Sequence, residues 1–429
     1  MTIQQRMALY EAPGVSIALI DDDRIAWSRH YGVADKSSGR RVDDDTLFEA
    51  SSIAKVVTAL VTLRLVREGK LSLDADVNSE LVSWKLPGTP FTATERVTVR
   101  RLLSHTGGVN VHGFGGYAPG TPLPTALQTL QGVPPANNVP ITVDETPGSA
   151  FRYSGGGYEI LAQLVEDVAR QPYDQFARSR VLVPANMRHS LITATLPVDR
   201  GARGYEGGAP VPRLVYPELG AAGLMSTAAD LARLAIEMDR ELHARSDRIL
   251  DQSLIKQMLS RQTGGWGLGV SLSPPGKERW WSKDGANTGY SSLLFMYPDR
   301  RQGAAIMTNG ASQSGFVYEI AASLAREYGW TGFEQSVRAA VPLEAAWLRR
   351  FQGVWRAGIE FEIGIRGDHL FVRGGPFGPK PVDLYAQSPN SFFVLSTGFT
   401  FDFDPKSPDH ATLAGSIAAV KVRSLPDLD

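Results

Sequence analysis

The sequence predicts an α/β (α+β) chain: a two-lobed domain with an antiparallel sheet and a helical lobe, followed by a small β-barrel. Three patterns carry this reading. Strand-like stretches open the chain and return after Gly264. Helical patterns separated by long Gly- and Pro-rich loops fill the middle. From about residue 340, short β-rich pieces alternate with turns, with no helical pattern past Arg350. The simplest closure joins the outer strands and helices into one layer and leaves the middle helices as a second lobe. Residues 1–338 are assigned to the two-lobed domain and 339–429 to the barrel.

The elements follow in order. Val15–Ile20 and Arg24–Gly32 flank Asp21-Asp22-Asp23, a hairpin pattern. A helix is expected from about Ser52 to Glu68, stopping at Gly69. Further helices are read over Val97–His105, Glu159–Arg170 and Ser226–Leu242. The pieces WGLGVSL, RWWSK, YSSLLFMYP and GAAIMTNG then read as an antiparallel meander, closed by a helix over Tyr318–Gly329. The tail pieces GVWRAG, FEIGIRGDHLFVRGG and FTFDFDP supply the barrel.

Composition narrows the chemistry. The 429 residues carry 44 basic and 45 acidic side chains, a net charge of -1, without the basic excess of a nucleic-acid binder. The absence of cysteine removes disulfides, thiolate nucleophiles, iron–sulfur clusters and Cys-based zinc sites. The first residues lack the basic start and apolar stretch of a secretory signal, and no run approaches the roughly 18 apolar residues of a membrane span. The expectation is a cytoplasmic protein with no membrane partner. The seven histidines are scattered and form no H-E-x-x-H; His105 and His112 read as loop or packing residues. There is no G-x-S-x-G elbow, and Gly265–Gly269 reads as strand rather than a nucleotide loop. No metal and no cofactor is expected.

One residue stands out. Between Ala50 and Leu63 the only charged residue is Lys55, in an otherwise apolar helix. A helix apolar all round is buried, and a buried ammonium costs several kcal/mol unless it is paired or sheds its proton. Burial therefore pushes Lys55 toward a base near neutral pH. Ser52 lies one turn earlier, where free amides favour negative charge. A serine hydroxyl needs a neighbouring base to become a nucleophile, and Lys55 supplies one. The competing reading makes Ser52 a helix N-cap and Lys55 a surface residue. A second S-x-x-K, Ser253 to Lys256, reads as structural, with Ser253 as N-cap.

Further along, PGSAFRYSGGGYEIL places Tyr153 just ahead of Gly155-Gly156-Gly157, and RWWSKDGANTGYSS places Lys283-Asp284-Gly285 at a strand end. Taken singly, Tyr153 reads as a packed aromatic and Lys283 as a solvated strand residue. Taken in order, Ser52-x-x-Lys55, Tyr153-Ser154-Gly155 and Lys283-Asp284-Gly285 resemble the three motifs of the penicillin-recognising serine hydrolases. The branch resembled holds class C β-lactamases, DD-peptidases, D-aminopeptidases and β-lactamase-like esterases. The likeness spans roughly residues 10–335 and includes RLLSHTGG (Arg101–Gly108).

The resemblance implies a β-lactamase/transpeptidase-like fold with a lipocalin-like barrel, no cofactor, and a small ester, amide or peptide substrate. It implies that Ser52 is acylated, that Lys55 and Tyr153 exchange its proton, and that Lys283 holds the tyrosine or meets a substrate carboxylate. The backbone amides of Ser52 and Ala286 would form the oxyanion hole. Two positions depart from the family pattern. Gly155 replaces an asparagine that would touch the substrate amide. Asp284 replaces a Ser, Thr or Gly before Gly285. Both departures, with Gly285 beside them, fall where substrate would bind. They favour an esterase or D-amino-acid-type peptidase over a DD-carboxypeptidase or β-lactamase. They also leave open a non-catalytic ligand receptor of the same fold.

Overall fold

A computed structural model describes residues 2–310, 315–333, 338–357, 359–377, 381–394, 399–414 and 417–425. The chain divides into two compact units, Met1–Ser312 with Val317–Phe333, and Gln313–Phe316 with Glu334–Asp429.

The first unit is built on a seven-stranded antiparallel sheet. Its strands are β1 (Gly14–Asp21), β2 (Arg24–Asp35), β3 (Arg40–Arg41), β4 (Ser271–Leu272), β5 (Trp281–Asn287), β6 (Tyr290–Tyr297) and β7 (Gln302–Thr308). They lie in the order β3-β2-β1-β7-β6-β5-β4. The opening hairpin thus pairs with the late meander, Ile17 opposite Ile306. Apart from Asp21, every residue of β1 and β6 is buried, so these strands lack simple alternation. The principal helices are α1 (Ala54–Arg67), α2 (Gly155–Ala169), α3 (Ala228–Leu242) and α4 (Phe316–Tyr328). Helix α3 packs on β1, β2, β6 and β7, while α1 and α2 pack on each other in the helical lobe.

Three expectations need correction. WGLGVSL contributes only Ser271–Leu272 as strand. The backbone before it bonds elsewhere: Leu268 donates to Met258 and Gly269 to Leu103, which commits the segment to the helical lobe. The helix around Arg100 shrinks to Val99–Leu103, capped by Thr98. In the second S-x-x-K, Asp251 rather than Ser253 caps the helix, by accepting from Leu254. Ser253 and Lys256 are both exposed.

The second unit holds a closed barrel of eight strands, each antiparallel to the next, with Gly353–Ala357 pairing back onto Ile417–Arg423. Alternation builds it: in Thr400–Phe403 the two phenylalanines point inward and the polar residues do not. Aromatic side chains fill the interior, with Phe351 and Phe403 stacked at 4.2 Å between ring centres. Among the described residues, no helix is long and apolar enough to cross a membrane.

Candidate active site

The site begins at a strained turn. Ser51 adopts φ +52°, a left-handed conformation that costs a non-glycine residue on the order of 1 kcal/mol. Its side chain is buried. This turn opens a short 3-10 segment, Ser51–Ile53, which leads into α1. Ser52 is only partly buried, whereas Ile53 to Leu63 are buried without a break.

Lys55, 3% exposed, reaches back one turn. Its Nζ donates to Ser52 Oγ at 3.1 Å and to the Ala221 carbonyl at 2.9 Å. Burial lowers its proton affinity below that of an ordinary lysine; the ammonium of Lys283 acts the same way, and Tyr153 opposes both.

Tyr153 lies between the two lysines, with each Nζ 5.2 Å from its ring centre. Ser52, Lys55 and Lys283 all act on its hydroxyl electrostatically. Burial pushes the phenol up, but the charges of Lys283 and Lys55, with Ser52 adding to them, outweigh it and leave the group at about 8 instead of 10.0. The residues that follow lock its place. Ser154 caps α2 by accepting from Gly157 at 3.0 Å, and its own N–H donates to His105 Nδ1. Gly155 is buried, and a Cβ there would lie 3.1 Å from the His112 carbonyl and 3.2 Å from the Phe114 ring.

Lys283, on β5, is 2% exposed rather than solvated. It donates to the Asp284 carbonyl at 2.7 Å and pairs with the Asp284 carboxylate at 3.2 Å. The charge of Lys283, and to a lesser degree Tyr318 of α4, holds the Asp284 carboxyl below the usual carboxylate range. Burial opposes the charge on Lys283, but Asp284 and Tyr153 more than restore it, so this lysine keeps its proton where Lys55 tends to lose one. Next on the strand, Gly285 abuts the serine turn: a Cβ there would lie 3.0 Å from the Ser52 nitrogen. Ala286 follows, on the exposed face of β5.

The predicted residues Ser52, Lys55, Tyr153 and Lys283 therefore converge from the 3-10 turn before α1, α1 itself, the turn before α2, and β5. His105 joins them, which its sequence context as a loop or packing residue did not single out. Its ring lies against Tyr153 at 4.3 Å, and it is 2% exposed. Burial, then the charges of Lys55 and Lys283, hold it well below the usual histidine range. Since Nδ1 accepts from Ser154, the neutral ring carries its proton on Nε2. Phe151 and Trp266, stacked at 5.2 Å, continue this aromatic wall outward.

Residues 2–327 match the family described as Beta-lactamase. The chain belongs to the Beta-lactamase family. Membership places this β-lactamase-family protein among hydrolases related to penicillin-binding proteins. Penicillin-binding protein 4 of Amycolatopsis lactamdurans is 28% identical over 339 residues, 72% of this chain and 84% of that protein. An octameric penicillin-binding protein homologue from Pyrococcus abyssi shares the fold with a TM-score of 0.66 at 23% identity, over 98% of each chain. A D-amino acid amidase from Ochrobactrum anthropi SV3 does so with a TM-score of 0.59 at 22% identity, over 72% of this chain and 90% of its own.

Proposed function

We propose that the protein is a serine hydrolase that forms an acyl-enzyme on Ser52, cleaving carboxylic esters or small amides of the D-amino-acid type. The observation that supports this reading is the contact of the Ser52 hydroxyl with the buried Lys55 Nζ at 3.1 Å, beside a Tyr153 ring held 5.2 Å from both Lys55 and Lys283.

Chemically, Ser52 Oγ attacks the substrate carbonyl as its proton passes to Tyr153 or Lys55, the first lowered by the two lysine charges against its burial and the second chiefly by burial. The carbonyl oxygen gains negative charge and is received by the backbone amides of Ser52 and Ala286; losing one such donor typically costs roughly 10²–10³ in rate. The Tyr153 hydroxyl returns the proton to the leaving group. Water then attacks the acyl-enzyme by the same path in reverse. Lys283 keeps its charge throughout and favours the phenolate.

The substrate preference rests on Asp284 and Gly155. Asp284 already occupies Lys283, so a substrate carboxylate finds its counter-ion taken and a like charge beside it. Gly155 offers no side chain to a substrate amide. Both favour esters and neutral amides over β-lactams and C-terminal carboxylates. A fluorophosphonate probe is expected to label the wild type at Ser52 and to leave Ser52→Ala unlabelled. An unlabelled wild type would favour the receptor reading. Parallel assays on p-nitrophenyl esters, D-amino-acid amides and nitrocefin are expected to rank nitrocefin last.

A further inference from the structure

Behind the cleft lie two carboxyl groups that the proposed reaction does not use. The short helix Leu219–Ala222 is packed between α1 and α2. The packing is close: a Cβ on Gly220 would lie 2.6 Å from the Tyr158 carbonyl and 3.2 Å from Glu159 Oε1. Ala221 is held from both sides. Its N–H donates to Glu159 Oε1 of α2 at 2.7 Å, and its carbonyl accepts from Lys55 of α1 at 2.9 Å.

Glu218 stands just before this helix, with no exposed surface, and neither of its carboxyl oxygens meets a partner from another residue among those described. An unpaired carboxylate in such a place costs several kcal/mol, so Glu218 resists ionising, and a charge it does take is felt by its neighbours. Glu159 does have compensation, in the Ala221 N–H and the Lys55 ammonium. A charge on Glu218 opposes ionisation of Glu159.

We propose that Glu159 and Glu218 form a buried pair that carries at most one negative charge, and that Glu159, as a positioning residue, uses that charge to set the protonation of Lys55 from outside the cleft. The role given to Lys55 in catalysis rests on the Ser52 reading; the coupling itself does not. The other groups facing Lys55 are Tyr153, Tyr158 and Lys283, with His105 and His112 beyond. Those facing Glu159 are Glu218, Lys55 and Tyr173. The two carboxyls act on Lys55 in opposite senses. Glu159 favours its ammonium directly, whereas the share of the single charge that rests on Glu218 is withheld from Glu159 and weakens that support.

The test is an NMR titration of the full-length protein carrying 13C at lysine Cε, with the Lys55 signal assigned by its loss in Lys55→Arg. Glu159→Gln keeps the acceptor for Ala221 but removes the charge, and is expected to lower the Lys55 midpoint by roughly one pH unit. Glu218→Gln has no hydrogen bond to another residue to lose, and is expected to raise the midpoint by freeing Glu159 to ionise earlier. Opposite displacements support the pair. A Lys55 midpoint unmoved in Glu218→Gln, or unmoved in Glu159→Gln, overturns it. If Glu159→Gln does not fold, the direction found in Glu218→Gln decides alone. The titration reads the amine itself, so failure here and failure of Ser52 to take a fluorophosphonate are separate results.

Discussion

Gly285 meets the Ala50 carbonyl so closely that a Cβ on it would lie 2.2 Å from that oxygen and 3.0 Å from the Ser52 nitrogen. Ser292 Oγ donates to the same carbonyl at 3.1 Å, so the oxygen cannot simply turn away. Nothing but hydrogen fits between β5 and the serine turn. Gly285→Ala must therefore push the strand and the turn apart, displacing Ala286 from Ser52. The expected result is a loss of roughly 10²-fold or more in kcat/KM for an ester substrate, the scale of one lost oxyanion donor. Steady-state kinetics beside a far-UV spectrum of unchanged shape would check it; full activity would mean that the two amides do not act together.

Tyr153 titrates at about 8 in the folded protein against 10.0 as a free phenol. If its phenolate receives the Ser52 proton, kcat/KM rises as pH passes through about 8. Tyr153→Phe is expected to lose this limb together with roughly 10²–10⁴ in kcat. The sign for stability follows from the same displacement. A depressed acid stabilises the fold above its unfolded value, near 10.0, and that contribution is lost as pH falls through about 8. A pH–rate profile of both proteins would decide; an unaltered limb in Tyr153→Phe would assign it to Lys55 alone.

On the proposed reading, Asp284 separates this site from one built to receive carboxylates. With its carboxylate paired to Lys283 at 3.2 Å, Lys283 is already satisfied. Asp284→Ser is expected to free Lys283 and to lower KM for nitrocefin or another carboxylate-bearing acyl donor by roughly tenfold. Turnover of a neutral ester should change far less. Equal effects on both substrates would show that Asp284 supports the strand rather than choosing the substrate.

The part of the site that could be read in the sequence is the part written in local pattern. Lys55 declares itself because nothing else between Ala50 and Leu63 is charged, and an apolar helix around one ammonium has few explanations. Tyr153 and Lys283 acquire meaning only from their order after Ser52, since each alone has a simpler account. His105 escaped because its site role comes from a ring contact with Tyr153, 48 positions along the chain, that no spacing rule encodes. Glu159 and Glu218 escaped for the same reason. Glu159 sits on an amphipathic helix where a solvated carboxylate would look identical, and only the packing of Leu219–Ala222 against α2 turns it inward. In the fold, the pairing of the first hairpin with the late meander follows from the strand patterns, whereas the irregular path of Gly267–Val270 depends on helix ends far away in sequence.

Four buried glutamates bring one more consequence, for stability against pH. Burial raises Glu49, Glu218 and Glu241 from 4.5 to about 7 and Glu159 to about 8; the charge of Glu218 adds to the effect on Glu159. Each binds a proton in the folded chain that the unfolded chain has released. A raised acid stabilises the fold fully below its unfolded value of 4.5 and loses that contribution as pH rises through its folded value. Between the two values each group changes stability by about 1.4 kcal/mol per pH unit. His105 and His112 oppose them, since burial depresses both and makes the fold less stable as pH falls through about 6.5, but Asp239, raised by burial to about 7, acts with the glutamates, five groups against two. Thermal midpoints measured at constant ionic strength are therefore expected to fall as pH is raised from about 6 to 8. Glu49→Gln combined with Glu241→Gln replaces two of the protonated carboxyls by neutral amides and should flatten that slope while leaving its sign. A midpoint that climbs over the same interval in the wild type would mean that these carboxyls are ionised in the folded state, and the charge assigned to the pair behind Lys55 would have to be counted again.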